Sequence, residues 1–307
     1  MPPPYPSPAF GGGGNSAASS VAPSPATRGR DGEGAPAPKR LTIHGRATVA
    51  FDHGRLREVY HTDPLRLLFP TPASSDPPTA VVVTTSGGLV GGDRLEIAAS
   101  VGEGASALVT AQAAEKVYRS AGEDVRFDVR LAVGDGGWLE WLPQETILFD
   151  AARLRRTTSV AVNGSGRLLA GELLVFGRIA RGERFTQGLA RDAWEVRRDG
   201  RLAWADALHL DGDVAALLDH PAGFAGATAY GTILYVGRDA ADRLDAARAL
   251  LEDVAPHAAA TVLGEVLVIR LLGKDAQRLR TDFGRVWAGL RKALNDLPER
   301  LPRLWHV

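Results

Sequence analysis

The sequence predicts a mainly β protein of stacked antiparallel or mixed sheets, followed by a small C-terminal α/β appendage. Between residues 41 and 228, short runs of Val, Leu, Ile and Thr alternate with turn signals such as Gly134-Asp135-Gly136-Gly137 and Asn163-Gly164. No helical pattern of ten residues separates these runs, which argues against a doubly wound fold. Helical spacing begins only after Tyr230. We therefore expect a β body over residues 41–228 and a β-α-β-α appendage with a docking tail over residues 229–307.

Composition and charge exclude several classes of protein. The 307 residues include 36 Lys and Arg and 36 Asp and Glu, so the net charge gives no electrostatic case for nucleic acid or an acidic membrane. The absence of cysteine excludes disulfides, thiolate nucleophiles and Cys-ligated metals. No run approaches the roughly 18 apolar residues of a membrane span, and the N-terminus lacks the pattern of a secretory signal. We expect a cytoplasmic protein with no nucleic-acid or membrane partner.

Residues 1–40 differ in composition from the rest of the chain. They are rich in Pro, Gly, Ser and Ala, and their apolar residues show no periodicity. Such a segment buries too little surface to offset the entropy of ordering, so we expect a disordered tail.

The first motif of the β body is the glycine-rich segment from Thr84 to Ile97. An apolar strand signal precedes it, and Leu95, Ile97 and Val101 follow at the two-residue period of a half-buried strand. Two Gly-Gly pairs exceed what a hairpin turn requires, so we expect close packing against another backbone, with Asp93 and Glu96 on the rim. A tight turn with solvated charges is the alternative. The four glycines are Gly87, Gly88, Gly91 and Gly92.

The appendage reads as strand, helix, strand, helix. Thr232–Val236 is a strand signal, and Asp239 stands where it would cap a helix with apolar residues at helical spacing. Val262–Leu272 reads as one long strand, and Asp275 opens a second helix. The tail then carries three apolar anchors, Leu301, Leu304 and Trp305.

Charged residues interrupt apolar strand signals in three places. These are Ala114–Ser120, Trp141–Asp150 and Gly171-Glu172 ahead of Leu173–Phe176. A glutamate among apolar strand residues is costly unless it is paired or hydrogen-bonded, so Glu145 and Glu172 need partners. Structural ion pairs with Arg119, Arg153 or Arg178 would explain them as well as a functional role would.

Five motifs in order give the sequence a family resemblance. From about Leu41 to the C-terminus, the chain resembles the urease accessory proteins of the UreD (UreH) family. The motifs that carry this resemblance are, in order, GGLVGGDRLEI, AEKVYRS, WLPQETILFDAARLRR, GELLVFGR and LPRLW. The resemblance implies a β-helical-like body and a scaffold or chaperone, not an enzyme. It implies binding to apo-urease, to a UreF-type helical partner and, through it, to a UreG-type GTPase. It also implies transient passage of Ni²⁺, with no stably bound cofactor.

The sequence departs from the family pattern at two places. Thr84-Thr85-Ser86 stands where the family usually has His-Pro-Pro, so a histidine ligand at this turn is not available. Glu115 stands where the family has threonine, and it adds a charge to which the resemblance assigns no role.

A transient nickel path would need charged but weakly holding ligands, for which carboxylate oxygens are suited. The seven histidines show no HxH or HxxxH spacing. We therefore expect the path at Asp93, Glu96, Glu145 and Glu172, with Asp150 as a weaker candidate. The expected hydrogen-bond partners are Lys116, Tyr118, Arg119 and Arg178.

Two other functions stay open from the sequence. A metal-free interaction scaffold would share all the features above. A hydrolase could pair Glu145 or Asp150 with Glu172, given a suitable carboxylate separation. Few aromatic residues lie near these carboxylates to stack on a sugar, and no GxSxG motif is present.

Overall fold

The computed structural model describes residues 42–254 and 257–306, which belong to one compact unit. The expected tail at residues 1–40 lies outside the described residues. The described part of the chain forms seventeen strands: β1 His44–Asp52, β2 Arg55–His61, β3 Leu65–Leu68, β4 Thr79–Thr84, β5 Arg94–Val101, β6 Ser106–Ala111, β7 Glu115–Val117, β8 Val125–Val133, β9 Trp138–Leu142, β10 Thr146–Leu148, β11 Arg153–Val162, β12 Arg167–Phe176, β13 Gln187–Arg198, β14 Arg201–Asp213, β15 Ala229–Val236, β16 His257–Leu263 and β17 Val266–Gly273. It also forms three α-helices: α1 Val214–Asp219, α2 Leu244–Ala249 and α3 Ala276–Asn295.

The strands form two stacked sheets. Sheet A has the order β14-β13-β11-β8-β5-β1-β2, and sheet B has the order β16-β17-β15-β12-β9-β6-β4-β3, with β7 and β10 beside β12. From β4 to β13 the chain passes repeatedly from one sheet to the other, and successive passes pair in parallel. Antiparallel hairpins are added at the ends. The expected mainly β, β-helical-like body of mixed sheets is confirmed.

The hydrophobic core lies between the two sheets. Along β5, Leu95, Ile97 and Ala99 are buried, while the residues between them are partly exposed. The same alternation in β8 and β11 gives sheet A one inner apolar face and one outer polar face. Side chains on this inner face pack on residues such as Leu139 and Leu168 of sheet B.

A second apolar layer covers the outer face of sheet B. Helix α3 begins after Asp275, whose carboxylate accepts from the Arg278 amide at 3.0 Å. Its apolar stripe includes Phe283 and Trp287, which pack in one cluster with Leu173 and Ile233 of the sheet. In the described ranges, no helix is long and apolar enough to cross a membrane.

Two details of the appendage differ from the sequence prediction. The single strand expected over Val262–Leu272 is wrong: Gly264 takes a φ of 59° and turns the chain into the hairpin β16–β17. The helix cap expected at Asp239 is also wrong, because this carboxylate instead binds the Tyr235 hydroxyl and Arg243 Nε. Strand β15 pairs with β12 and β17, so sheet B continues across the boundary expected near residue 228.

Candidate functional site

A small chamber lies between the two sheets beside the glycine turn. Its volume is about 140 Å³, and its apolar walls include Ile97 and Phe127 from sheet A and Val82 and Trp141 from sheet B. Its polar lining is unusual for an inter-sheet core, where buried polar groups are costly. That lining consists of Thr84, Ser86, Gln112, Glu115, Lys116, Gln144, Thr146, Arg156 and Glu172.

Two larger depressions lie on the surface. One, of about 720 Å³, includes Arg153 and Asp211, which lie 3.9 Å apart. The other, of about 820 Å³, is a mainly apolar groove between Leu68 and Leu304. Neither contains a buried carboxylate like that of the chamber, so the chamber is the candidate functional site.

The floor of the chamber is a buried cluster of three charges. Arg156 on β11 is 1% exposed, and its Nε and Nη2 each donate to Asp192 on β13 at 2.9 Å. Its Nη1 donates to the Thr146 hydroxyl at 3.1 Å and lies 2.5 Å from Glu172 Oε2 on β12. Glu172 is 3% exposed, and its Oε1 accepts from Trp141 Nε1 at 3.0 Å. The cluster links both sheets and carries two carboxylates for one guanidinium.

The geometry of the two carboxylates on Arg156 is unequal. Asp192 makes two parallel hydrogen bonds, the strong arrangement for an arginine-carboxylate pair. Glu172 Oε2 makes a close ionic contact without hydrogen-bond geometry and accepts no hydrogen bond. Glu172 is therefore the less completely satisfied of the two, and it is the one that lines the chamber.

The electrostatics of the cluster follow from burial. Burial raises the pKa of Glu172 to about 7; Asp192 adds to this rise, whereas Arg156 and Trp141 oppose it. Burial disfavours the charged guanidinium, but Asp192 and Glu172 together raise the pKa of Arg156 above its ordinary value. Near neutral pH the chamber floor can thus hold or release a proton at Glu172 while Arg156 stays charged.

A second carboxylate, Glu115, lines the chamber near the glycine turn. Burial raises the pKa of Glu115, while hydrogen bonds from the Thr84 hydroxyl at 2.7 Å and the Lys116 amide at 3.2 Å oppose the rise. Lys116 itself is exposed. Strands β7, β10 and β12 run side by side, with Thr146 opposite Glu115 on one side and opposite Leu174, two residues beyond Glu172, on the other. Glu115 and Glu172 therefore belong to one wall of the chamber.

The glycine turn packs against the segment that carries Glu115. A Cβ on Gly88 would lie 2.8 Å from the Lys116 carbonyl, and one on Gly91 would lie 2.6 Å from the Glu123 carbonyl. Gly88 also has a φ of 143°, which favours glycine. Both Gly87 and Gly88 line the chamber, so the turn shapes its wall.

Asp93 is fully buried but does not line the chamber. Its Oδ1 accepts from the Ile43 amide at 2.8 Å, and its Oδ2 accepts from the Val90 amide at 2.9 Å. Both oxygens therefore hold backbone, which fixes the end of the glycine turn.

Glu96 points outward from sheet A. It lies 2.9 Å from His44 Nε2 and 3.0 Å from Arg94 Nε. The hydrogen bond with His44, together with nearby arginines, holds the pKa of Glu96 below its ordinary value despite some burial. It takes no part in the chamber.

The other two carboxylates also have their own partners. Glu145 Oε2 accepts from Arg280 Nε on α3 at 3.0 Å. Burial opposes ionisation of Asp150, but hydrogen bonds from Thr186 at 2.8 and 2.7 Å outweigh it and lower the pKa of Asp150. Of the five carboxylates expected to form a path, only Glu172 lines the chamber.

None of the four supporting residues contacts the charged cluster of the chamber floor, although Lys116 lines the chamber. Tyr118 Oη donates to the Gly87 carbonyl at 2.7 Å. Arg119 lies 3.7 Å from Asp150, and Arg178 pairs with Glu183 and stacks over Phe149. The arginines actually paired with Glu145 and Glu172 are Arg280 and Arg156.

Sequence reasoning missed the central residue of the chamber floor. Side chains alternate between the two faces of a strand, and Arg156 lies on the same inward face of β11 as Leu154, Thr158 and Val160. This alternation is a signal that could have placed Arg156 inside. Asp192 lies directly opposite it on β13, which no local pattern reveals.

The chamber offers oxygen donors but no assembled metal centre. Among the described residues, no group of three or more His, Asp and Glu side chains could hold a metal ion. Two carboxylates, three hydroxyls and two glutamine side chains line the chamber, and Ser86 Oγ is buried without a hydrogen-bond partner. Hard oxygen donors without imidazole or thiolate suit brief contact with a cation better than durable binding.

Comparison with known proteins gives the family. The model of the UreD urease accessory protein family matches residues 43–306. A urease accessory protein UreD of Magnetococcus marinus is 49% identical over 262 residues, covering 83% of this chain and 90% of that protein. A urease accessory protein UreD of Methylobacterium sp. is 41% identical over 280 residues, covering 88% of this chain and 97% of that protein. The match therefore spans the β body and the appendage alike, and the chain belongs to the UreD family of urease accessory proteins.

Proposed function

We propose that this protein is a urease maturation scaffold that binds apo-urease together with a UreF-type helical protein and a UreG-type GTPase, and that Ni²⁺ passes through its inter-sheet chamber. Membership of the urease accessory family supports the role in urease maturation. The observation that carries the nickel route is Glu172, a buried carboxylate that lines the chamber and has one oxygen without a hydrogen bond. In this proposal the ion is cargo, and no cofactor stays bound.

The chemistry of the chamber supports brief contact with a cation. The two carboxylates on Arg156 leave one negative charge uncompensated when both are ionised, and Glu115 adds another, which the neighbouring Lys116 partly offsets. Oxygen ligands hold nickel-like ions less durably than imidazole or thiolate ligands do. A divalent ion would therefore be attracted into the chamber without being trapped there.

The test replaces the chamber carboxylates and measures nickel in urease. The protein is co-expressed with urease subunits, a UreF-type partner and a UreG-type GTPase, and purified urease is assayed for nickel and activity. Glu172→Gln combined with Glu115→Gln should lower both nickel content and activity, while the accessory complex still assembles on apo-urease. Glu145→Gln is the matched control, because Glu145 pairs with Arg280 and does not line the chamber.

Two outcomes would replace the proposal. Unchanged nickel content in the double variant would favour a metal-free scaffold, an alternative supported by the internal partners that each expected path carboxylate already has. Failure of the wild-type chain to associate with urease subunits would remove the scaffold itself. A hydrolase is disfavoured, because Glu145, Asp150 and Glu172 bind separate partners and do not share the chamber.

A further inference from the structure

A row of basic side chains crosses the outer face of sheet A. The strand registers place these residues directly opposite one another on six neighbouring strands, in the order His44, Arg94, Arg126, Arg155, Arg191 and His209. We call these six residues the basic row. Between strands spaced about 4.8 Å apart, the row is about 24 Å long. In the described part of the chain the three α-helices pack elsewhere, and this face stays open.

Charge compensation along the basic row is uneven. At one end, His44 and Arg94 share Glu96, and Arg94 also lies 3.3 Å from Asp128. Further along, Arg155 pairs with Asp124, which it shares with a second arginine. Within residues 42–254 and 257–306, Arg126 and Arg191 have no carboxylate at ion-pairing distance. The centre of the row is therefore short of negative charge.

This arrangement is costly to the fold. Four consecutive arginines of the row lie opposite one another, and like charges in directly opposed cross-strand positions are destabilising. Carboxylates offset this repulsion at Arg94 and Arg155, so the cost falls mainly on Arg126 and Arg191. An outward position on these strands requires only a polar side chain, so the fold does not need arginine there. The chain as a whole is neutral, so the row is not a by-product of a basic composition. Its charges are better explained by an external anionic partner than by stability.

We propose that the basic row is a docking surface for an acidic α-helix of a partner protein, lying across the strands of sheet A. Acidic residues at helix positions i, i+3, i+7 and i+10 fall at about 0, 4.5, 10.5 and 15 Å along the helix axis. Four arginines on neighbouring strands fall at about 0, 4.8, 9.6 and 14.4 Å. In an extended peptide, residues on one face recur every ~6.7 Å, so their spacing does not follow the ~4.8 Å spacing of the arginines beyond the first pair.

The surroundings of the row favour a protein over a polyphosphate. Glu96, Asp124 and Asp128 lie beside the arginines and would repel a continuous phosphate backbone. A helix with an acidic stripe places its carboxylates only over the row. This inference does not depend on passage of nickel through the chamber.

The test measures binding of a synthetic helical peptide to the full chain by fluorescence anisotropy. The peptide is alanine-based with glutamates at i, i+3, i+7 and i+10, and a peptide of equal composition has its glutamates distributed around the helix. The patterned peptide should bind more tightly than the distributed one. Arg126→Glu with Arg191→Glu should weaken it at least about tenfold, equivalent to about 1.4 kcal/mol.

Arg130→Glu is the control for the single variant Arg126→Glu, which changes the charge equally and should weaken binding more; unlike Arg126, Arg130 lies 3.7 Å from Glu96. Arg130 lies on β8 like Arg126 and faces the same side of the sheet, but it stands outside the row. Its reversal should weaken binding by less than about threefold, the scale of one exposed ion pair. Equal losses for Arg130→Glu and Arg126→Glu, or equal binding of the two peptides, would overturn the proposal. Tighter binding of a short DNA duplex than of the patterned peptide would identify a nucleic-acid surface instead.

A second measurement separates binding from folding. Neutral variants, Arg126→Gln and Arg191→Gln, relieve repulsion between opposed arginines, so their thermal midpoints should equal or exceed that of the wild type. Lower midpoints would contradict the claim that these arginines are retained at a cost to the fold.

Discussion

Arg156 is the residue on which the interior charge of the protein depends. It joins Asp192 of its own sheet to Glu172 of the opposite sheet. Removing Arg156 would leave two carboxylates buried without a counterion, the costly case for a buried ion pair. Removing the charge of Glu172 would leave the well-formed Arg156–Asp192 pair intact. The two sides of this cluster are therefore unequal in their importance for folding.

The raised pKa of Glu172 predicts a pH dependence of stability. Because the pKa of Glu172 in the folded protein is about 7, against 4.5 for the ordinary side chain, the folded state binds the proton more tightly. The free energy of unfolding should thus fall as pH rises from about 4.5 to 7, by about 3 kcal/mol for this buried group. Glu172→Gln should reduce this slope and leave the part contributed by Glu115 and Glu140, whose pKa values burial also raises, as measured by urea unfolding across that range.

Asp150 provides a control of opposite sign. Its pKa is lowered by the hydrogen bonds from Thr186, so its contribution to stability is present above its ordinary value of 3.8 and is lost as pH falls below it. Asp150→Asn should therefore be less stable than the wild type above about pH 4, approach it at more acid pH, and leave the slope between pH 4.5 and 7 in place. The same slope in Glu172→Gln as in the wild type would refute the assignment to Glu172.

At the scale of elements, the glycine turn connects sheet B to sheet A. It leads from β4 into β5 and pairs with β7 through Leu89, whose amide donates to the Lys116 carbonyl at 2.7 Å. The turn therefore positions the strand that carries Glu115. Its four glycines are not equivalent, because only some of them approach another backbone.

Alanine substitution should separate the glycines of this turn. Gly88→Ala meets a carbonyl at 2.8 Å in a positive-φ conformation, and Gly91→Ala meets one at 2.6 Å, so each should lower the free energy of unfolding by about 1–3 kcal/mol. Gly87→Ala is the control: its nearest neighbour would be Tyr118 Oη at 3.9 Å, and its effect should stay within about 0.5 kcal/mol. Equal denaturant midpoints for all three variants would count against backbone packing at the turn.

Local patterns predicted some elements well and could not predict others. The two-residue period at Leu95 and Ile97 identified β5, and the apolar stripe after Asp275 identified α3. The turn at Gly264 was hidden because apolar residues continue on both sides of it, so the pattern read as one strand. The chamber floor was hidden because its partners are remote in sequence: Arg156 meets Asp192 only through strand register.

At the scale of the whole molecule, one buried ion pair fastens α3 and the C-terminal segment to sheet B. Arg291 Nε donates to Glu140 Oε2 on β9 at 2.6 Å, and both residues are at most 1% exposed. Arg291 also donates to the Arg300 carbonyl at 2.8 Å and to Asp76 Oδ1 at 2.9 Å. Segments far apart in sequence therefore meet at a single side chain.

Loss of Arg291 should destabilise the molecule strongly. Arg291→Met leaves Glu140 buried without its counterion, which should cost about 3–5 kcal/mol in the free energy of unfolding. Glu140→Gln added to Arg291→Met removes the unpaired charge and should recover part of the loss, as measured by denaturant unfolding. A double variant no more stable than Arg291→Met would indicate that the contacts to Asp76 and the Arg300 carbonyl carry the effect.

The surplus of negative charge that the chamber floor carries when Glu172 is ionised has a consequence for the proposed passage of Ni²⁺. Asp192 and Glu172 together carry one more negative charge than Arg156 compensates, and either a proton or a metal ion would neutralise it. Entry of one would therefore expel the other, and mild acidification would act as an antagonist of loading. The interior of this protein would behave as an exchanger, in which acidity and metal occupancy oppose each other.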